Sequence, residues 1–244
     1  MRPLISPEQH QQYEERGFFV LEDLFTATDL EPLLAVLEKH HALHEARLQQ
    51  TGTEGISRAG EIAFTAHIAR NDPTVLAFCR RPEFIAITTQ LLGPDVDLYW
   101  DQTVFKGPEG QHQFPWHQDD GYTPVTPSPY LTLWLALNDA TVENGCVWVL
   151  PGSHRLGLLP HKPGPTGLTC YPLDAPDQGV PVPVRAGSVV VFQSLTVHKS
   201  GTNRSSGMRK AYIIQYAQAG LRSALTGELI PGTIPIARGG NAVA

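Results

Sequence analysis

From Asp95 onward the chain is written in short apolar runs broken by glycine and proline, and this limits the fold more than any other feature. The runs Val96–Phe105, Phe114–Asp119, Leu131–Asn138, Cys146–Leu150, Ser188–Phe192 and Lys210–Gln218 have strand length and hold many β-branched and aromatic residues. Asn144-Gly145, between the third and fourth runs, adopts positive φ readily and predicts a tight hairpin turn. Many short strands of this kind close into a double-sheet jelly roll or a barrel, which gives each apolar face a second layer to pack against.

The first 94 residues follow a helical period instead. Ser6-Pro7-Glu8-Gln9 is a capping box with proline at the first helical position, and Gly17 is the stop signal. Phe18-Phe19-Val20-Leu21 then reads as a short strand. Thr26 or Thr28 caps a second helix whose Leu30, Leu33, Leu34 and Leu37 form an apolar stripe. Pro73–Arg80 and Pro82–Leu92 are two further helices, the latter stopped by Gly93. Gln50–Gly60 is expected to be a mobile loop, and Pro160–Pro183 a surface loop; either is placed to form a lid. The expectation is a single domain over 1–244, mainly β with flanking helices. A helical elaboration (1–94) packs on a jelly-roll, cupin-like core (95–220), followed by a C-terminal tail (221–244).

Composition removes several classes of function. Eighteen basic residues stand against 24 acidic ones, a net charge of −6, and no Lys/Arg block exists. Nucleic acid and anionic membrane surfaces are therefore disfavoured partners. The longest apolar stretches, such as Leu131–Leu137, are too short to span a bilayer, and Met1–Pro7 does not read as a secretory signal. Cys79, Cys146 and Cys170 are odd in number and form no CxxC, so a disulfide framework is not expected and a reducing cytoplasm fits.

Ten histidines raise the question of which are ligands. His117-Gln118-Asp119, with His198 far downstream, supplies two imidazoles and one carboxylate, which together can hold one face of an iron(II) and leave adjacent positions open. Were Phe114–Asp119 one strand, residues two apart would share a face, so His117 and Asp119 would reach one metal while Gln118 points away. An isolated His-x-Asp is common in proteins, and its company carries the weight here. The other histidines have plainer readings. His40, His41 and His44 lie on a solvated helix face, His112 and His161 are surface residues, and His154 stabilises a turn. Arg204 faces solvent from a turn.

The runs Trp116-His117-Gln118-Asp119-Asp120-Gly121-Tyr122, Glu143-Asn144-Gly145-Cys146, Leu150-Pro151-Gly152-Ser153-His154 and His198–Asn203, continuing to Arg209, resemble the phytanoyl-CoA dioxygenase family. Its members are Fe(II)- and 2-oxoglutarate-dependent oxygenases with a double-stranded β-helix core. The resemblance implies that His117, Asp119 and His198 ligate iron and that Arg209 pairs with the distal carboxylate of 2-oxoglutarate. A planar guanidinium suits that task because it presents two parallel donors. By the same resemblance Ser200 supports that carboxylate, while Trp134 and Gln102 line the cosubstrate pocket. Asp120 and Tyr122, next to the ligand motif, are expected to face the substrate. A lysine that some members place before the β core is missing from Glu61-Ile62-Ala63-Phe64. Halogenating members replace the ligand carboxylate by a small residue; Asp119 keeps it, which implies hydroxylation or a related oxidation with O2. The expected partner is a small-molecule substrate. Two rival readings are a cupin-like metal enzyme that uses no keto acid and a non-catalytic metal or small-molecule binding module.

Overall fold

The computed structural model describes residues 4–108, 110–170 and 179–243. Helix α1 (Pro7–Arg16) opens with the Ser6–Gln9 capping box and closes at Gly17, in the left-handed region at φ 82°. Strand β1 (Phe18–Leu21) follows, then α2 (Ala27–Thr51), capped by Thr26 because Asp29 at the third helical position returns the bond. Strands β2 (Thr53–Glu54), β3 (Ser57–Arg58) and β4 (Ile62–Ala66) precede α3 (Pro73–Cys79) and α4 (Pro82–Leu92). The remainder is β5 (Val96–Lys106), β6 (Phe114–His117), β7 (Val125–Thr126), β8 (Leu131–Ala136), β9 (Val147–Val149), β10 (Lys162–Gly164) and β11 (Gly167–Thr169). It continues through β12 (Val180–Val182), β13 (Val189–Gln193), β14 (His198–Ser200), β15 (Arg209–Gln218), β16 (Arg222–Ser223), β17 (Ile234–Arg238) and β18 (Asn241–Ala242).

Two antiparallel sheets face each other. The large one runs β1-β13-β8-β15-β5-β4-β3-β2, with β17 also on β5, and the small one runs β12-β9-β14-β6. Strand alternation divides the large sheet into two working faces. Leu131, Leu133, Leu135, Val189, Val191, Tyr212, Ile214 and Tyr216 pack against Leu30, Leu33, Leu37, Phe84 and Ile87 of the helices. Their neighbours Trp134, Ala136, Val190, Phe192 and Ala211 face the small sheet, where Val147, Val149 and Val182 meet them. Burial on both faces is why Leu131–Ala136 reads as an unbroken apolar run. This is the expected jelly-roll core with helices packed on the outer face of one sheet.

Several expectations about local structure are corrected. Asn144-Gly145 is no hairpin turn: β8 lies in the large sheet and β9 in the small one, so the dipeptide carries the chain between sheets. Its geometry is still that of a tight turn. The Asn144 side chain accepts from Thr141 N–H (2.7 Å) and donates to the Asp139 carbonyl (2.8 Å). Gly145 has φ 87°, and any side chain there would strike the Gly201 carbonyl. The presumed mobile loop Gln50–Gly60 contains the end of α2 and the β2–β3 hairpin, which joins the large sheet through β4. Pro160–Pro183 contains the β10–β11 hairpin and β12, and its residues 171–178 lie outside those described. The N-terminal third donates β1 and β4 to the large sheet, and the presumed tail adds β17.

Candidate metal and cosubstrate site

Strand β6 ends at His117, two residues short of Asp119, and Asp119 instead opens a 3-10 turn, Asp119–Gly121. The turn brings the carboxylate back to the imidazole by another route. Strand β14 pairs with β6 so that His198 lies opposite His117, with ring centroids 4.1 Å apart. Both imidazole Nε2 atoms stand 3.6 Å from Asp119 Oδ1. The three candidate ligand atoms all lie within 4.8 Å of one another, and among the described residues no other group of histidine, cysteine and acidic side chains gathers so.

The hydrogen bonds around this triad prepare it for a cation. His117 Nδ1 donates to the Pro115 carbonyl (2.8 Å), and His198 Nδ1 donates to the Thr196 carbonyl (3.0 Å). Each bond places the imidazole proton on Nδ1 and leaves Nε2 with a lone pair aimed at the common centre. Asp119 Oδ2 accepts from Thr132 Oγ1 (2.6 Å) and Gln215 Nε2 (3.0 Å), so Oδ1 is the oxygen left for a metal. Burial and the neighbouring His117 push His198 down to about 4, which keeps it neutral at physiological pH. Burial alone would raise Asp119, but the facing imidazoles and the Thr132 hydroxyl outweigh it and hold the carboxyl at about 2. Two imidazole nitrogens and one carboxylate oxygen therefore fit a divalent first-row metal such as iron(II).

Gln118, between the candidate ligands, points away from the cavity as expected, yet it holds both halves of the triad together. It is fully buried, and its Nε2 donates to the Leu195 carbonyl (2.7 Å) and the Gly157 carbonyl (2.8 Å). Leu159 N–H donates to its Oε1 (2.7 Å), and its own N–H donates to His161 Nε2 (3.0 Å). The approach to Thr196–His198 is thus tied to the segment bearing His117 and Asp119. His161 is no free surface residue: its Nδ1 donates to the Leu159 carbonyl, and its ring packs so closely on Gly121 that a side chain there would collide with it.

The triad opens into a cavity of about 360 Å³ whose wall also includes Gln102, Trp134, Ser200 and Arg209. Arg209, the first residue of β15, is 0% exposed and pairs in register with Lys106 of β5. One guanidinium nitrogen donates to the Val104 carbonyl (3.0 Å) and the plane lies 5.3 Å from the Trp134 ring, but Nε and Nη2 have no partner. Among the described residues no carboxylate pairs with it. Burial lowers its pKa to about 10, so it stays charged at neutral pH. A buried guanidinium with two unmet donors on a cavity wall fits the carboxylate of a keto acid. Trp100 Nε1 donates to Gln102 Oε1 (3.1 Å), which turns the Gln102 amide NH2 away from the indole as a free donor.

Not every sequence expectation about site residues agrees with this geometry. Asp120 does not line the cavity: the 3-10 turn buries it at 2% exposure, where Oδ2 accepts from Ser128 Oγ at 2.5 Å. Burial raises its pKa to about 6. Tyr122 does line the cavity. His154 lies elsewhere, donating from Nε2 to the Glu14 carbonyl and packing on Gly17. His44 is buried against β4, with Nδ1 3.0 Å from Thr65 Oγ1, and so is not on a solvated face. Sequence reading missed Thr132, Gln215, the anchoring role of Gln118, and Lys106. The Lys106 amine, 1% exposed, donates to the carbonyls of Ser200 and Gly201 from behind that strand. A lysine ending an apolar strand was the one available signal; Thr132 and Gln215 gave none, because their strands had no known register.

The model of the phytanoyl-CoA dioxygenase (PhyH) family matches residues 13–211. The peroxisomal phytanoyl-CoA dioxygenase of Rattus norvegicus is 26% identical over 236 residues, covering 88% of this chain and 69% of the relative. A probable alpha-ketoglutarate-dependent hypophosphite dioxygenase of Stutzerimonas stutzeri is 26% identical over 226 residues, covering 87% and 78%. The crystal structure of SnoK, a non-heme alpha ketoglutarate dependent carbocyclase from nogalamycin biosynthesis, superposes with a TM-score of 0.74 at 24% identity, covering 94% of this chain and 96% of that one. With four-fifths of its length matched by the family model, this chain belongs to the phytanoyl-CoA dioxygenase family.

Proposed function

We propose that this protein is an Fe(II)- and 2-oxoglutarate-dependent dioxygenase that hydroxylates a C–H bond of a small molecule. The observation that carries the reading is Arg209: a charged, fully buried guanidinium with two unmet donors, on the wall of the same cavity as the His117–Asp119–His198 triad. A metal triad alone suits many cupin-like enzymes; a buried anion grip in the same cavity singles out those that also bind a keto acid.

In this reading His117, Asp119 and His198 hold the iron, and Arg209 with the Ser200 hydroxyl holds the far carboxylate of 2-oxoglutarate. Gln102 donates from its amide to the near carboxylate, and Trp134 walls the cosubstrate. Iron, 2-oxoglutarate and O2 together supply the oxidising power for C–H cleavage, with succinate and CO2 released. The residues themselves orient and shield: Thr132 and Gln215 fix which oxygen of Asp119 reaches the metal, and the aromatic wall excludes water. Asp119 at the ligand position favours hydroxylation over halogenation. Tyr122 stands on the substrate side. Cys79, Cys146 and Cys170 are unpaired thiols, in keeping with a reducing cytoplasm, and among the described residues no helix is long and apolar enough to cross a membrane.

The test is an anaerobic titration of the Fe(II)-loaded protein with 2-oxoglutarate. The expected result is the weak visible charge-transfer band of the chelate, followed by substrate-stimulated succinate formation in air. Absence of the band would return the protein to the keto-acid-free metal enzymes.

A further inference from the structure

We infer that the substrate is an uncharged, ring-bearing molecule with a carbonyl or hydroxyl oxygen, and that Tyr130 is the residue that grips this oxygen beside the metal site. The inference rests on the oxygenase reading above.

Away from Arg209 and Ser200 the cavity is walled by Ile56, Phe64, Trp100, Phe114 and Tyr122. Among the described residues, Asp119 is the one carboxylate on its wall, and Arg209 and Lys199 are the lysine and arginine. The Lys199 ammonium lies over the rings of Trp116 (4.6 Å) and Trp148 (5.1 Å), neither of which lines the cavity. An anionic group entering this end would shed its water and, among the described residues, find no cationic side chain there other than Lys199, which is held over its two indoles. Ring faces are abundant, with Phe64 and Phe114 tilted at 5.3 Å and Tyr99 edge-on to Tyr130 at 5.1 Å. Such walls favour a flat, apolar body.

Tyr130 is the exception in this wall. It is 3% exposed, and its place is fixed by Tyr99 against the ring and by Ser194 Oγ, which accepts from its backbone N–H (3.1 Å). The Tyr122 hydroxyl accepts from Leu168 N–H, and the Tyr99 phenol pairs with Thr123. The Tyr130 hydroxyl has no such partner among the described residues, and Tyr130 lines the same cavity as His117, Asp119 and His198. A phenol hydroxyl on a cavity wall with no protein partner is open to the cavity and available to an acceptor on a bound molecule. Burial also keeps this phenol protonated, so it offers a proton to an acceptor oxygen.

The test uses the full chain loaded anaerobically with Fe(II) and 2-oxoglutarate. Probes are a panel of neutral two- to four-ring ketones and phenols, each beside its parent hydrocarbon, with hexadecanoyl-CoA and hypophosphite as charged arms. Members of the ring panel are expected to perturb the charge-transfer band and stimulate succinate formation in air. Tyr130→Phe should weaken the best ketone about three- to tenfold, leaving its parent hydrocarbon and the half-saturating 2-oxoglutarate unchanged. Response to a charged arm alone, or silence from the ring panel while the band forms, overturns the substrate assignment. Equal weakening of ketone and hydrocarbon overturns the role of Tyr130. Failure of the band itself sinks the oxygenase reading, and the substrate assignment with it.

Discussion

Replacing Arg209 by methionine separates two consequences of one buried charge. The side chain is fully enclosed, and its guanidinium makes a single hydrogen bond, to the Val104 carbonyl. Burial takes its pKa from 12.5 to about 10, which corresponds to about 3 kcal/mol set against the charged form in the unliganded protein. A bound carboxylate recovers much of that by meeting Nε and Nη2 with charge-assisted bonds worth about 1.5–3 kcal/mol each. Arg209→Met keeps the length of the stem and removes the charge. The half-saturating 2-oxoglutarate concentration, read from the anaerobic charge-transfer band, should rise at least about tenfold. The unliganded variant should melt no lower than the parent, since an uncompensated buried charge is gone. Arg209→Lys should not restore binding, because an ammonium cannot offer two parallel donors. Cobalt(II) affinity of the triad serves as the control for local damage. An unchanged 2-oxoglutarate requirement with intact metal binding would refute the assignment.

Further expectations concern the triad and its supports. His198→Ala should abolish substrate-dependent succinate formation, and retained turnover would remove His198 from the site. Thr132→Val strips one of two donors from Asp119 Oδ2 and should weaken metal binding about tenfold by calorimetry, with secondary structure unaltered; no change would mean that Gln215 suffices. Gln118→Leu leaves the Gly157 and Leu195 carbonyls and Leu159 N–H unmet, so stability to urea should fall by about 3 kcal/mol and metal affinity should fall with it. The metal-free protein should also lose stability as pH drops from about 6.5 toward 4. His198 is held neutral in the fold, so the unfolded chain takes up its proton first; His198→Gln should flatten that stretch of the stability profile.

How far the sequence led depended on whether the signal was local. Capping boxes, helix stops and strand runs depend on neighbouring residues, and Ser6, Gly17 and Leu131–Ala136 could be read directly. Sheet membership depends on distant partners. Asn144-Gly145 therefore suggested a hairpin while the chain was in fact crossing between sheets. The grouping of His117, Asp119 and His198 was legible as a motif, but the expected route was not. A strand alternation was assumed where the structure uses a strand end and a 3-10 turn, and that turn also carries Asp120 away from the cavity. Thr132, Gln215 and Tyr130 act through register and burial, and a single sequence holds neither.

Strand β1 has a consequence for anyone preparing this protein. Phe18–Leu21 caps the edge of the large sheet by pairing with Val189–Phe192, and the Phe192 ring lies 4.5 Å from that of His198. Trimming the leading residues as dispensable would bare a run of valines whose backbone groups seek a new neighbour, inviting intermolecular β-pairing. The damage would extend inward through Phe192, so a shortened preparation that clumps and binds metal poorly would show one defect rather than two.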